Sequence, residues 1–180
     1  QALEQATLTV FHTSDLHSRV FPQRFVASAR DQALGLGEAG ELTSAGGFAR
    51  LGALLEVERR RAERSLYLDS GDLFQGSRVY ERFGGEAELV GMAELRLDAM
   101  VLGNHDLDDG AEALAELIER FGTFPVLSTN YISTSRSSPY APWVVLDAGG
   151  LRVGVVGVAN VESVGALERG SDALGVLPRA

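Results

Sequence analysis

Short apolar runs alternate with amphipathic stretches along most of this chain. Runs rich in β-branched and aromatic residues predict strands at residues 6–11, 65–69, 99–102 and 125–128. These runs are almost wholly apolar, which is typical of strands that are covered on both faces. Because predicted helices lie between them, the pattern indicates βαβ units and a parallel sheet. The fold class that we expect is therefore α/β.

The predicted helices begin at Phe48, Glu86 and Asp109, and the second and third end at Leu95 and Phe121. The first continues through three arginines, residues 59–61, where positive charge complements the helix dipole. We interpret these arginines as a solvated helix end rather than as an anion site. The apolar positions of the first helix are expected to share one face, and they are Leu51, Leu54, Leu55 and Val57.

Two regions break this alternation. Residues 20–47 are polar and rich in glycine, and we predict a long connection there. Residues 143–147 and 151–156 flank the turn at residues 148–150 and predict an antiparallel hairpin. After Val158 only loop signals remain. A sheet that stops on a hairpin with two open edges indicates half of a larger architecture.

Length and composition allow one domain and exclude several classes of partner. The 180 residues carry a formal net charge of −9 and a pI near 4.8, which argues against nucleic-acid polymers and anionic membranes as partners. There are no cysteines, so disulfides, thiolate catalysis and cysteine-ligated zinc are excluded. No apolar run approaches the roughly 18 residues of a membrane-spanning helix. Because the chain opens on Gln1 rather than Met, we expect a removed leader and a periplasmic or extracellular location.

Three segments carry side chains that bind metals or transfer protons. They are Ser14–His17, Gly71–Phe74 and Gly103–Asp108, and each follows a predicted strand. Parallel sheets place ligand sites at the carboxyl ends of their strands, so we expect the three segments to converge. Each segment taken singly has a simpler explanation as a turn or a helix cap. Their occurrence together and in order favours a metal site.

Spacing indicates a role for each residue. Asp15 and His17 are two residues apart, so in an extended chain their side chains point the same way and can hold one ion. Asn104 and His105 are adjacent and tend to point apart, which lets the amide bind metal while the imidazole faces the substrate. His12, at the end of the first strand, is interpreted as structural.

The remaining residues of the segments complete this hypothesis. His105 and Asp108 are three residues apart at a helix start, which brings them within reach. Asp108 can then fix the tautomer of His105 and favour its charged form. Asp72 lies between the other two segments and is the natural bridging carboxylate, while Gly71 and Gly103 allow close approach of the backbone. The nitrogen and oxygen donors suit zinc, manganese, iron, cobalt or magnesium, and two such ions about 3.5–4 Å apart could clamp a phosphoryl group.

With these segments placed, the chain closely resembles the N-terminal part of the 5′-nucleotidase family of calcineurin-like metallophosphoesterases. The resemblance runs from about Thr7 to Val158 and includes the terminal hairpin. The matching stretches are His12–His17, Gly46–Arg50, Asp69–Gly76, Gly103–Gly110 and Pro125–Asn130.

The resemblance implies half of a four-layer α/β/β/α sandwich, with a mostly parallel sheet, a C-terminal hairpin and two divalent metal ions between loops. In such enzymes a metal-bound water attacks phosphorus in line. Asp106 stands where glutamate is frequent in the family, and we assign it no catalytic role. By matching positions, Asp15 and His17 would bind the first metal, Asp72 would bridge, Asn104 would bind the second, and His105, paired with Asp108, would stabilise the transferring phosphate and the leaving group.

The family also has histidine ligands in the second half of the catalytic domain and a C-terminal domain that binds the nucleoside. Neither is found in residues 1–180, so we expect this chain to be the N-terminal part of the catalytic domain, inactive alone and completed by the missing half. The function that we expect is hydrolysis of phosphomonoesters, above all nucleoside 5′-monophosphates. The alternatives are a non-catalytic fragment or partner-completed half domain, or a related cyclic-nucleotide phosphodiesterase, nucleotide-sugar hydrolase or sulfur-ester hydrolase.

Overall fold

A computed structural model describes residues 5–133, 140–160 and 174–176. Strands and helices alternate through most of its length, and a 3₁₀ turn at His105–Leu107 lies between the fifth strand and the fifth helix. In chain order the elements are β1 (Thr9–Thr13), β2 (Gln23–Val26), α1 (Ala29–Ala33), β3 (Leu42–Ala45), α2 (Phe48–Arg61), β4 (Ser65–Asp69), α3 (Arg78–Phe83), α4 (Glu86–Glu94), β5 (Ala99–Val101), α5 (Ala111–Phe121), β6 (Val126–Leu127), β7 (Tyr131–Ser133), β8 (Trp143–Ala148), β9 (Leu151–Val156) and β10 (Leu174–Val176).

The main sheet is parallel and has the order β1-β4-β5-β6. This confirms the expected α/β class, because all four strands predicted from apolar runs are present and pair in one direction. The inner strands β4 and β5 bury most of their side chains, whereas β1 alternates between half-buried and exposed positions. The expectation that both faces are covered is therefore wrong for β1, where the side chain of Val10 is 50% exposed.

Helices α2 and α4 pack closely because glycines face the contact. A Cβ atom at Gly91 would lie 2.5 Å from the ring of Phe48, and one at Gly52 would lie 2.9 Å from Leu95. The bounds predicted for α2 match the structure, but its predicted apolar face does not. Leu55 is buried, whereas Leu54 is 58% exposed, since only part of the stripe meets the sheet and α4.

Residues 20–47 are more regular than predicted. β2 and β3 pair antiparallel, and the short helix α1 between them begins at a capping box formed by Ser28 and Asp31. The sequence predicts only a long connection here, because both strands are four residues long and polar residues interrupt any apolar run in them. Helix α3, which Ser77 caps, is six residues long and is likewise too short to be predicted from a helical period.

The predicted hairpin is confirmed as β8 and β9, which pair antiparallel around a turn with positive φ at Gly149 and Gly150. β7 and β10 form a further antiparallel pair. The prediction of loop alone after Val158 is thus wrong at residues 174–176, and the rest of that tail beyond residue 160 lies outside the described residues. Among the helices that the structure describes, none has both the length and the apolarity to cross a membrane.

Candidate metal centre

The loops that follow β1 and β4 lie side by side, because these strands are neighbours in the sheet. The backbone amide of Asp15 donates to the carbonyl of Gly71 at 2.9 Å, and that of His17 donates to the carbonyl of Asp72 at 3.0 Å. The amide of Ser18 continues the pattern at 2.8 Å to Leu73. The two loops therefore form one backbone unit at the carboxyl edge of the sheet.

Three predicted ligands come together on this unit. Asp15, His17 and Asp72 each offer a ligand atom, and these atoms all lie within 4.8 Å of one another. Asp15 is exposed and the other two are half-buried, so the group is open to solvent on one side. Carboxylate oxygens and an imidazole nitrogen at this separation can surround one divalent cation.

The backbone of this group is not extended. Asp15, His17 and Asp72 have φ values of 55°, 45° and 55°, in the left-handed region that non-glycine residues seldom adopt. The prediction that Asp15 and His17 share a side through extended chain is therefore wrong in its geometry, although the two side chains do converge. Left-handed non-glycine residues cost energy and cluster at functional sites, and Ser18 and Gln75 nearby adopt the same conformation.

The third loop, after β5, joins this unit through Asp72. The Oδ1 atom of Asp72 accepts a hydrogen bond from the backbone amide of His105 at 2.8 Å. The rings of His17 and His105 meet edge to face with centroids 5.2 Å apart. Asn104 is half-buried and occupies the N-cap position of the 3₁₀ turn, yet its side chain makes no capping hydrogen bond. Its amide oxygen therefore has no role in starting that turn.

His105 and Asp108 form a hydrogen-bonded pair. The Nδ1 atom of His105 lies 2.7 Å from Oδ2 of Asp108. This hydrogen bond is the main cause that raises the pKa of His105, and partial burial opposes it. Because Nδ1 is engaged by Asp108, Nε2 is the ring nitrogen of His105 that does not contact Asp108.

Two glycines allow the loops to approach. A Cβ atom at Gly71 would lie 2.2 Å from the backbone nitrogen of Gly103. A Cβ atom at Gly103 would lie 2.2 Å from Oδ1 of Asp72. Both distances are far shorter than a Cβ atom tolerates. The loop that carries Asp72 and the loop that carries Asn104 can therefore pack together only because residues 71 and 103 are glycines.

Two buried carboxyl groups, to which the sequence assigns no role, lie behind the site. Burial raises the pKa of Asp69 to about 6, although hydrogen bonds from Thr13 and Gly71 oppose the shift. Burial also raises the pKa of Asp106, which accepts hydrogen bonds from four backbone amides. The sequence shows that an acidic residue, Asp106, directly follows His105. It does not show which backbone amides donate hydrogen bonds to that residue.

The electrostatics of the cluster favour a cation. Among the described residues, no ion pair involves Asp15, Asp72 or Asp106. Three carboxyl groups thus lie near one another with no arginine of the described residues to balance them, and a divalent cation would supply the missing positive charge. His12 stands apart from the group, and its Nε2 atom lies 2.6 Å from Oγ of Ser70.

Comparison with known proteins identifies the family to which this chain belongs. A family model described as calcineurin-like phosphoesterase matches residues 8–173. The chain belongs to the calcineurin-like phosphoesterase family. A human 5′-nucleotidase is 34% identical over 161 residues, which are 87% of this chain and 27% of the human protein.

Solved structures agree with this family membership. The 5′-nucleotidase precursor from Thermus thermophilus is 32% identical, with a TM-score of 0.80 over 95% of this chain and 32% of that one. The NAD nucleotidase from Haemophilus influenzae is 29% identical, with a TM-score of 0.72 over 87% of this chain and 27% of that one. The chain thus spans about a quarter of the length of the curated relatives it matches.

Proposed function

We propose that this chain contributes to metal-dependent hydrolysis of phosphate monoesters, with nucleoside 5′-monophosphates as the main substrates. The observation that carries the proposal is the convergence of Asp15, His17 and Asp72 at the carboxyl edge of the parallel sheet. The similarity to 5′-nucleotidases supports the choice of a nucleotide substrate.

The donor set fits a pair of divalent cations, such as zinc, manganese, cobalt, iron or magnesium. Asp15 and His17 would hold the first, Asp72 would bridge both, and Asn104 would hold the second. When bound, such a pair polarises the phosphoryl group and activates a water molecule. Four side chains are too few for two full coordination spheres, so we propose that further ligands come from outside these residues.

His105 and Asp108 supply the proton chemistry in this proposal. Asp108 holds the Nδ1 proton of His105 and favours the imidazolium form. The opposite nitrogen, Nε2, then donates a hydrogen bond to a phosphoryl oxygen or to the leaving-group oxygen as negative charge develops there. The tie between Asp72 and the amide of His105 keeps this donor next to the metal-binding carboxylate.

The direct test uses the complete gene product with Mn²⁺, Zn²⁺ or Co²⁺ and measures phosphate release from AMP. We expect metal-dependent release that is lost in Asp72→Ala. Asp98→Asn is the control, because Asp98 accepts a hydrogen bond from the amide of Tyr67 at the opposite end of the strands. Circular dichroism of each variant shows whether it is folded. Absence of metal-dependent release in the folded wild type, or full activity of Asp72→Ala, would refute the proposal.

A panel of substrates resolves the finer alternatives. NAD, a cyclic nucleotide and a nucleotide sugar are compared with AMP and an aryl phosphate in the same assay. The similarity to an NAD nucleotidase makes NAD the most informative second substrate. A higher kcat/KM for any of these than for AMP would replace the 5′-monophosphate assignment and leave the metal site unchanged.

Metal titration separates catalysis from a non-catalytic role as a fragment or half domain. We expect the complete gene product to bind two equivalents of Mn²⁺ with loss of one or both in Asp72→Ala. Binding of no metal by the folded protein would favour the non-catalytic alternative.

We also propose a periplasmic or extracellular location. The Thermus thermophilus relative is named as a precursor, a term for chains from which a segment is removed. Fractionation of cells that express the complete gene product tests this proposal, and recovery in the cytoplasm alone would contradict it.

A further inference from the structure

Backbone amides from the loop that carries Asp72 and from the loop that carries Asn104 donate hydrogen bonds to one buried carboxyl group, that of Asp106. Asp106 is 4% exposed. Its Oδ2 atom accepts hydrogen bonds from the amides of Asp72 at 3.0 Å and Gly103 at 2.8 Å. Its Oδ1 atom accepts from Leu73 at 2.9 Å and Phe74 at 3.3 Å. Each oxygen thus receives two backbone donors, and the four donors come from both loops.

Only a carboxylate fits this set of donors. An ionised aspartate is acceptor-only on both oxygens, and hydrogen bonds to an ionised acceptor are stronger than those between neutral groups. An asparagine at position 106 has one acceptor oxygen, and its NH₂ group would point at two backbone N–H groups. At a buried position those donors would lose their partners.

The same contacts determine where Asp72 lies. Its left-handed backbone is held on one side by His17, whose amide donates to the carbonyl of Asp72 at 3.0 Å. Its side chain is held on another side by the amide of His105. The carboxylate of Asp106 accepts a hydrogen bond from the backbone amide of Asp72. It also accepts from the amides of the next two residues, Leu73 and Phe74.

We propose that Asp106 is the positioning residue of this centre: its carboxylate joins the two loops so that Asp72 can bridge two cations. This inference rests on the proposed function, because the bridging role belongs to that proposal. Asp106 touches neither substrate nor metal in this scheme and acts through Asp72. Its loss is therefore expected to weaken metal binding in protein that is still folded.

A small cavity beside Asp106 offers a conservative variant. The cavity has a volume of about 30 Å³, and its lining includes Phe74, Tyr80 and Leu114. This is room for about one water molecule. The additional methylene of Asp106→Glu can therefore enter the cavity while both oxygens stay near the backbone amides. We expect Asp106→Glu to keep the metal affinity that Asp106→Asn loses.

The experiment titrates the complete gene product with Co²⁺ and records both affinity and the visible absorption spectrum. Asp106→Asn is expected to weaken Co²⁺ binding by about 10–100-fold, as is usual when a group that supports a metal ligand is removed. Asp106→Glu should bind like the wild type and give the same spectrum. Asp98→Asn, which removes a carboxylate that accepts a single backbone hydrogen bond at the opposite strand end, is the matched control and should not change affinity.

The outcomes separate this inference from the proposed function. Wild-type protein that is folded but does not bind Co²⁺ would overturn both. If the wild type binds Co²⁺ and folded Asp106→Asn binds it with equal affinity, the positioning role alone is overturned. This holds even if the melting temperature of the variant is lower. If Asp106→Asn unfolds at the titration temperature, the titration is repeated with trimethylamine N-oxide, which favours the compact state. Weak binding by the refolded variant supports the inference, and normal binding overturns it.

Discussion

The imidazole of His105 and the carboxylate of Asp108 lie 2.7 Å apart across one turn of a 3₁₀ helix. Both side chains are partly exposed, at 42% and 39%, so the pair borders the solvent-accessible side of the centre. Because the hydrogen bond raises the pKa of His105, the imidazolium form persists to higher pH than in a free histidine. Any step that needs this charged donor is fully supported at low pH and is lost as pH rises through the raised pKa.

Asp108→Asn should lower the pKa of His105 toward its ordinary value of 6.5, since the charged acceptor at Nδ1 is removed. An NMR titration of the imidazole in metal-free protein measures this change. Asp109→Asn is the control, because Asp109 is the next residue but bonds the hydroxyl of Tyr80 instead. An unchanged pKa in Asp108→Asn would show that the pair has no influence on protonation of His105.

Gly103→Ala should disrupt the centre through steric overlap, because its Cβ atom would lie 2.2 Å from Oδ1 of Asp72. We expect a loss of stability of about 1–3 kcal/mol, typical of overpacking at a close contact, together with weaker metal binding. Gly154→Ala is the control, since Gly154 in β9 has no neighbouring atom within 4 Å of the added Cβ. Urea denaturation and Co²⁺ titration measure the two effects, and equal behaviour of the two variants would contradict the close contact.

Asp69→Asn should flatten the pH dependence of stability in metal-free protein. The folded pKa of Asp69, about 6, is above its ordinary 3.8, so the folded state binds this proton more tightly than the unfolded state. The free energy of unfolding therefore falls as pH rises from about 4 to about 6, by about 2–3 kcal/mol for this group. An asparagine can still accept from Gly71 and bond Thr13, and it does not titrate.

Urea denaturation at several pH values between 4 and 7, with a chelator present, measures this slope. The pKa of Asp106 is raised as well, so part of the pH dependence remains in Asp69→Asn. A slope as steep as that of the wild type would mean that Asp69 titrates in the folded protein near its ordinary pKa.

Arg59→Met should lower the free energy of unfolding by about 1–2 kcal/mol, as expected for loss of charged donors to backbone acceptors. Arg59 donates to the carbonyls of Leu95 and Arg96 at 2.9 and 2.8 Å, and so joins α2 to the end of α4. Arg60→Met is the matched control, because Arg60 forms an exposed ion pair with Glu56 on its own helix. Similar stability of both variants, measured by urea denaturation, would mean that Arg59 is as dispensable as a surface arginine.

The interpretation of residues 59–61 as a solvated helix end therefore holds for two of the three arginines. Arg60 and Arg61 make exposed ion pairs along α2, in agreement with the interpretation. Arg59 leaves the helix surface to bond a neighbouring element. The sequence contains no signal for this difference, because it depends on where the last carbonyls of α4 lie.

By itself, the sequence determined the strands of the parallel sheet, the bounds of α2 and the hairpin of β8 and β9. These features depend on local patterns: an apolar run, a helical period or a pair of glycines at a turn. Local patterns also predict that the three segments with candidate ligands lie at strand ends, and the strand order β1-β4-β5 makes these ends neighbours.

Tertiary structure alone decided how those segments fit together. The left-handed backbone of Asp15 and Asp72 and the four amides around Asp106 each depend on contacts between loops. The pairing of β7 with β10 likewise joins strands about forty residues apart in sequence. A sequence pattern reports which side chains prefer burial and where the chain turns, but a buried acceptor is stabilised by donors from another loop, and only folding brings those donors to it.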